Sequence, residues 1–406
     1  GIDSSIPDLP QGVIHHSTIE AVKKRLILPE RKDKIKIVCF HHQLIPIPNT
    51  GKERSAINDS GNMLKMLLEV EADLILNGHR HISNLYTVNS TKKSMYIFNS
   101  GTLCCNKTRY RELFTYNIID IENNNLHFKI IPTLERNSFT REINRTINYF
   151  QPREVEPNEK PYCKFVQLSN SLISEQTVDK ITNFDKAIDI INTINDVDLV
   201  VHTGNLTQNS YKEEFEIAKK KLKKIQFPYI IVPGYSDSKP PVWEYWYKYI
   251  GDLDPLFEND KIHFKGINST TPDSKVGFVG RKKLHKFMEK VLSLSHEKLF
   301  GFCCFHSLIP TPLSVWRTEL IDAGDVLSQI SLSRIGIVLN NTPSISFNVK
   351  IENSIFSNGG NLKGDHFDAA FIEISIYKDG LVSLTEHNLT TGKKRNIGKY
   401  NITILT

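Results

Sequence analysis

The sequence contains no apolar run of transmembrane length, so no membrane-spanning helix is expected. It also lacks a cysteine framework. Cys39, Cys104, Cys105, Cys163, Cys303 and Cys304 mostly fall in apolar, strand-like runs, and two pairs are adjacent in sequence. That pattern fits neither a disulfide scaffold nor a zinc spacing. Reduced, buried thiols and a cytoplasmic setting are expected. Charge is not concentrated either. The net charge of +6 comes from lysine spread along the chain, which argues against nucleic acid as a partner. An initiating methionine is missing too: Gly1 stands first, and Met63, Met66, Met95 and Met288 are internal. The chain therefore reads as cut, processed or incompletely recorded.

At 406 residues, with 39% hydrophobic and 24% charged side chains, the chain is too long for one ordinary core, and two domains are expected. Apolar runs of strand length alternate with segments at helical spacing, which implies βαβ units and a largely parallel sheet. In the first part, Ser17–Glu20 has the form of a capping box for a helix carrying Ile19, Val22, Leu26 and Ile27. Residues 132–161 are polar and hold four prolines, and read as a linker. From Cys163 the alternation restarts. Val178, Ile181, Phe184, Ile188, Ile191 and Ile194 recur at helical spacing, and Ser210–Glu213 reads as the cap of a further helix. The aromatic run Trp243, Tyr245, Trp246, Tyr247, Tyr249 is helically spaced, which favours core packing over base stacking.

The chemistry is carried by two strand ends. Leu74-Ile75-Leu76 is a short buried strand broken at Asn77-Gly78 and followed by His79-Arg80-His81. Residues i and i+2 of an extended or turning backbone project the same way, so His79 and His81 can face one point. Upstream, the apolar run Lys34–Phe40 ends in His41-His42, and Leu44-Ile-Pro-Ile-Pro48 then cannot continue a central strand. Neutral imidazole is the commonest metal ligand, and sites in open α/β sheets lie beyond strand ends. His15 and His16 precede a helix and read as surface residues. Asp59 reads as a helix cap.

Taken in order, Phe40-His-His…Pro, Gly78-His-Arg-His81 and Asn99-Ser-Gly-Thr102 resemble the C-terminal half of a calcineurin-like metallophosphoesterase, over roughly residues 1–131. That family's pattern runs Asp-x-His, Gly-Asp, Gly-Asn-His-Asp, His and Gly-His-x-His. The resemblance implies a four-layer α/β/β/α sandwich and a dinuclear centre of divalent metal ions, with manganese, iron and zinc not distinguished. It implies His41 and His79 on one ion and His81 on the other. His42 and Arg80 would face substrate or stand behind the ligands, His42 being the candidate catalytic group. The implied activity is hydrolysis of a small phosphoester, of phosphodiester or cyclic-nucleotide type. A nuclease of the same superfamily would want a basic groove, and none is legible.

The chain also resembles itself. Gly266–Asp273 matches Gly1–Asp8, and Cys304-Phe-His306 matches Cys39-Phe-His41, both at an offset of 265. Leu308–Pro312 matches Leu44–Pro48 after one deletion, Ile337–Asn340 matches Leu74–Asn77, and Ile355-Phe356 matches Ile97-Phe98. Two tandem copies are expected: residues 1–131 as the C-terminal half of one domain, and 162–395 as a whole second domain, with contact between them. Against the family pattern the second copy has Asn170-Ser-Leu172, Gly204-Asn205, Gly234-Tyr-Ser-Asp237 and Asn341-Thr-Pro-Ser344. Nearly every ligand is neutralised, so this copy reads as metal-free. The chain as it stands lacks the Asp-bearing half of the metal site and is expected to be nearly inactive. A non-catalytic scaffold of two degenerate copies is the alternative.

Overall fold

The computed structural model describes residues 1–7, 12–31, 33–50, 57–105, 112–133, 139–156, 158–240, 242–294, 298–313, 320–341 and 345–403. Its first part contains α1 (His16–Leu26), β1 (Ile37–Cys39), α2 (Ser60–Glu69), β2 (Leu74–Asn77), β3 (Asn84–Asn89), β4 (Ser94–Asn99), β5 (Thr115–Glu122), β6 (Asn125–Pro132) and β7 (Arg141–Thr146). Next come β8 (Cys163–Leu168), α3 (Asn183–Ile191), β9 (Leu199–His202), α4 (Lys212–Leu222), β10 (Tyr229–Ile231), α5 (Val242–Tyr249), β11 (Leu256–Glu258) and β12 (Ile262–Gly266). The last part holds α6 (Arg281–Ser293), β13 (Leu299–Cys304), α7 (Ala323–Ser331), β14 (Ile335–Asn340), β15 (Phe347–Ile351), β16 (Ser354–Asn358), β17 (Ala370–Ile376), β18 (Leu381–Asn388) and β19 (Lys394–Asn401).

One ten-stranded sheet, ordered β1-β2-β4-β3-β15-β16-β14-β13-β12-β11, runs through both halves. Period-two alternation sets its two faces. On β2, Leu74 turns to the three-stranded sheet β5-β6-β7 and meets Phe128, Ile130 and Ile147. Ile75 turns the other way, into a core shared with α1, α2, α6 and α7. That core is continuous across the halves, joining Leu67 and Val88 to Leu327 and Ile351. In the second half, Phe264, Cys303 and Ile355 meet Phe165, Val201 and Ile374 of the sheet β10-β9-β8-β17-β18-β19. The helices α3–α5 cover that sheet's outer face through Phe184, Phe215 and Trp246. The second half is thus layered α/β/β/α. Trp246 lies edge-on to Phe215, so the aromatic run packs a core.

The ladders of the halves correspond strand for strand. β1, β2 and β4 are parallel neighbours, and β3 closes antiparallel on β4. β13, β14 and β16 are likewise parallel, with β15 antiparallel on β16. The register corrects the sequence alignment. Cys39 pairs with Leu76 and Cys303 with Leu339, so Cys303, not Cys304, is the counterpart of Cys39. His306 then corresponds to His42, and no deletion is needed before Leu308. Similarly Ile97 lies opposite Ile75, while Phe356 lies opposite Val338, which shifts that match by one residue.

Other expectations are also corrected. The sheets are mixed rather than largely parallel, because hairpins such as β17-β18 and β5-β6 pair antiparallel. Residues 132–161 are not all linker. β7 pairs with β6, and Ile143 and Ile147 on one face of that segment join the core under β4. β19 carries the second half beyond residue 395 to a buried Ile402. Ser17 lies inside α1, whose N-cap is His15, because the His15 carbonyl accepts from Thr18 and Ile19. Ile27, Val178 and Ile181 are exposed and outside helices. The N-cap of α3 is Thr182, whose hydroxyl and Asp185 form a capping box. α4 is capped from Tyr211, with Glu214 accepting from Asn209 and Tyr211. Asp59 stands at the N-cap of α2 without a side-chain capping hydrogen bond. Cys104 is exposed, whereas Cys163, Cys303 and Cys304 are buried. Among the described residues no helix is long and apolar enough to cross a membrane.

Candidate metal centre

β1 and β2 are adjacent parallel strands, so their carboxyl ends release His41 and His79 side by side. His41 Nε2 lies 3.1 Å from His79 Nδ1. The His42 ring stacks obliquely on His79, centroids 4.5 Å apart. One ring nitrogen from each of His41, His42 and His79 falls within 4.8 Å of the other two. Among the described residues this is the group that could hold a metal ion, and no carboxylate belongs to it.

Backbone strain aims these rings. His79 and His81 both have left-handed backbones, φ 69° and 57°, which for non-glycine residues cost of order 1 kcal/mol each. Asn77 fixes the start of the turn by donating its side-chain amide to the Phe40 carbonyl. Asn340 does the same for the Cys304 carbonyl in the second half. Between the two histidines Arg80 is 1% exposed and donates to the Thr50 carbonyl at 3.1 Å. It is enclosed behind the histidines, one of the two places the resemblance implies, the other being towards substrate. His42 is buried, with Nδ1 2.9 Å from Ser4 Oγ. His81 lies outside the tight group. It is near enough for its charge, after partial loss of hydration, to help lower the His41 pKa. A lowered pKa keeps His41 neutral and free to bind a cation.

The facing nitrogens fit a metal ion. Two nitrogens each about 2.1 Å from one ion stand about 3.0–3.4 Å apart between octahedral and tetrahedral angles, and the observed gap is 3.1 Å. The imidazole donors suit zinc or another first-row divalent cation.

The second half fills the corresponding place with neutral amides. Asn170 Oδ1 accepts from Asn205 at 2.9 Å and from Asn341 at 2.8 Å. Asn205 Oδ1 accepts from the backbone and hydroxyl of Ser236. Asp237 is wholly enclosed and takes hydrogen bonds from Leu206, Thr207 and Gly234. Burial nonetheless pushes its carboxyl up to about 6. Thr342–Ser344 lie outside the described residues. Ser171 Oγ stands 2.7 Å from His202 Nε2, a spacing seen in nucleophile–base pairs. Here the Gly204 N–H points at Nδ1, so Nδ1 is unprotonated and Nε2 donates to the serine. His202 is therefore not placed to take the Ser171 proton. His306 is buried against Ser269 and the Lys275 carbonyl, as His42 is against Ser4.

Sequence reasoning did not find Ser4, or Asn361, whose Oδ1 accepts from the Asn170 amide at 3.2 Å. Ser4 and Ser269 stand at an offset of 265 inside the matched segments, which was the available signal.

No protein-family model matches the chain. A stretch of 106 residues is 28% identical to a probable glycerophosphodiester phosphodiesterase of Arcobacter nitrofigilis, covering 25% of this chain and 38% of that protein. The chain thus spans well under half of that relative. Among solved structures it is similar to a purple acid phosphatase from yellow lupin seeds, at 9% identity and a TM-score of 0.46, over 79% of this chain and 74% of that one. It is also similar to a dimetal phosphatase from Danio rerio, at 10% identity and a TM-score of 0.45, over 60% and 100%. The sequence match covers a quarter of this mixed α/β chain.

Proposed function

We propose that the chain is built from two copies of a metallophosphoesterase domain, and that its first half holds the histidine side of a metal-dependent phosphodiesterase centre. The observation that carries this reading is the His41–His79 pair, two ring nitrogens 3.1 Å apart at neighbouring strand ends. His41 and His79 would hold one divalent ion, with His81 directed to a second. A bound ion would supply a nucleophilic water at neutral pH and polarise a phosphoryl oxygen. His42, braced by Ser4, keeps the ring beside it in place. A dinuclear site also needs carboxylates to hold two dications, and the histidine group contains none. The chain alone is therefore expected to bind an ion but turn over little phosphodiester. The second half, its ligand positions closed by amide hydrogen bonds, is expected to stay metal-free. The curated relative's name motivates a small phosphodiester as the substrate class.

Calorimetric titration of the metal-free chain with Co2+ tests this. One ion per chain is expected, lost in His41→Ala and His79→Ala and kept in Asn205→Ala. No binding, or binding indifferent to both histidines, overturns the reading and favours a non-catalytic scaffold.

A further inference from the structure

Among the described residues, the second half grips the loop that follows the first half's histidines. Ile47–Thr50 follows His41-His42 and is gripped by the start of α7. The backbone of Ile47 lies flat on Gly324, where a Cβ would overlap the Ile47 carbonyl. Two residues on, the Asn49 N–H donates to Asp325 Oδ1 at 2.8 Å. Asn49 is left-handed, φ 60°, and the Thr50 hydroxyl closes the turn on the Ile47 carbonyl at 3.0 Å. The Thr50 carbonyl is thereby fixed, and it is the acceptor for Arg80, the buried residue between His79 and His81.

We propose that Asp325 is a positioning residue for the metal-binding histidines: through Asn49 and Thr50 it fixes Arg80, and with it the strained turn that aims His79 and His81. This rests on the metal-centre reading above. A covalent bond need not form or break; the role is to hold a loop.

The fold supplies its own control. At the counterpart contact, Gly61 lies against the Thr311 carbonyl, and Asn62 Oδ1 accepts from the Leu313 N–H at 2.9 Å. Leu313, like Asn49, is left-handed. Asn62 thus grips the second half's loop as Asp325 grips the first's. The second half has Pro343 in sequence where the first has Arg80, and no metal histidines to aim. Asp325→Ala and Asn62→Ala remove matching contacts between the halves, and it is the loop held by Asp325 that carries the Thr50 carbonyl accepting from Arg80.

The experiment compares Asp325→Ala, Asp325→Asn and Asn62→Ala in the full chain. The first readout is the imidazole NMR spectrum of the metal-free protein. The second is Co2+ affinity by titration. Asp325→Ala is expected to shift the His79 and His81 resonances and weaken Co2+ binding about three- to tenfold, one link beyond a ligand's direct hydrogen-bond partner. Asp325→Asn, whose amide oxygen can still accept from Asn49, restores both. Asn62→Ala lowers stability comparably and leaves both readouts alone. Equal effects of Asp325→Ala and Asn62→Ala, or none, overturn the proposal. If the parent chain binds no Co2+, the metal reading fails by itself, and the NMR comparison still decides whether Asp325 positions the histidines.

Discussion

Val88 lies directly opposite Ile351 where β3 pairs antiparallel with β15, and each is the other's counterpart. Val88 faces Met95 on β4, and Ile351 faces Ser354 on β16, at matching places in the two ladders. On the two-copy reading proposed above, a pseudo-twofold axis passes through this pair. The neighbouring contacts obey it. Lys350 pairs with Asn89, and Glu352 donates its N–H to Thr87 while accepting from Thr87 N–H on its carboxylate.

Truncation at the axis should destabilise both halves together. Both side chains are fully buried in the shared core. Ile351→Ala is expected to cost about 2–5 kcal/mol, with Val88→Ala at the low end of that range. Because opposite residues touch, the double variant should depart from additivity by about 0.5 kcal/mol or more. Urea unfolding measures this. Strict additivity would mean that the strands do not pair there.

Gly61→Ala and Gly324→Ala should behave as a matched pair. Each added Cβ would overlap a carbonyl of the opposite half, Thr311 or Ile47. Both carbonyls are backbone, so the cost falls on the contact itself, about 1–3 kcal/mol. Thermal unfolding of each variant should show similar losses. A stabilised Gly61→Ala, as helix propensity alone would give, would contradict the close approach.

Acid should weaken the second half before the carboxylates of the surface titrate. Burial holds His202 down at about 3 and His306 at about 4, against about 6.5 in an unfolded chain. Below pH 6.5 the unfolded state gains protons that the native state refuses, so stability falls as pH falls. Each histidine contributes about 1.4 kcal/mol per pH unit. Asp237 acts oppositely. With a native pKa of about 6 against an ordinary 3.8, it binds its proton in the native state first and gains stability between those values on acidification. Two histidines outweigh one aspartate, leaving a net loss of about one group's worth between pH 6 and 4.5. Urea midpoints across that range should drop, and His306→Gln should flatten the slope. A rising midpoint would refute this assignment.

Removing Ser4 should matter only in the first half. Ser4→Ala leaves the His42 Nδ1 without its 2.9 Å partner, at an expected cost of about 1–3 kcal/mol for a buried polar group. It should also loosen the ring that stacks on His79. Co2+ affinity is expected to fall, whereas Ser269→Ala, the counterpart beside His306, should lower stability without touching metal binding.

Strand positions were legible in the sequence, and contacts between strands were not. Cys163–Leu168 and Ser94–Asn99 follow from apolar runs with sharp polar borders, and the structure has strands with those ends. β7 was missed because only Ile143 and Ile147 mark its buried face amid charges. The one-residue slip between halves has a chemical cause. Cys-Phe-His recurs as letters, but the ladder aligns residues by what they pair with, and His306 sits with Ser269 as His42 sits with Ser4. Of the site, strand ends marked His41 and His79 as candidates, and their pairing on one ion came from the family resemblance. The burial of Arg80 could not be read, since its acceptor is reached through a loop held by a residue 276 positions away.

The β3–β15 pairing has one more implication, for assembly size. A sheet edge ordinarily invites further strands. Here two like edges meet at Lys350–Asn89 and Ile351–Val88, a self-complementary contact that is satisfied at two units. A chain built this way stops at a pair and cannot lengthen into a fibre through the same surface.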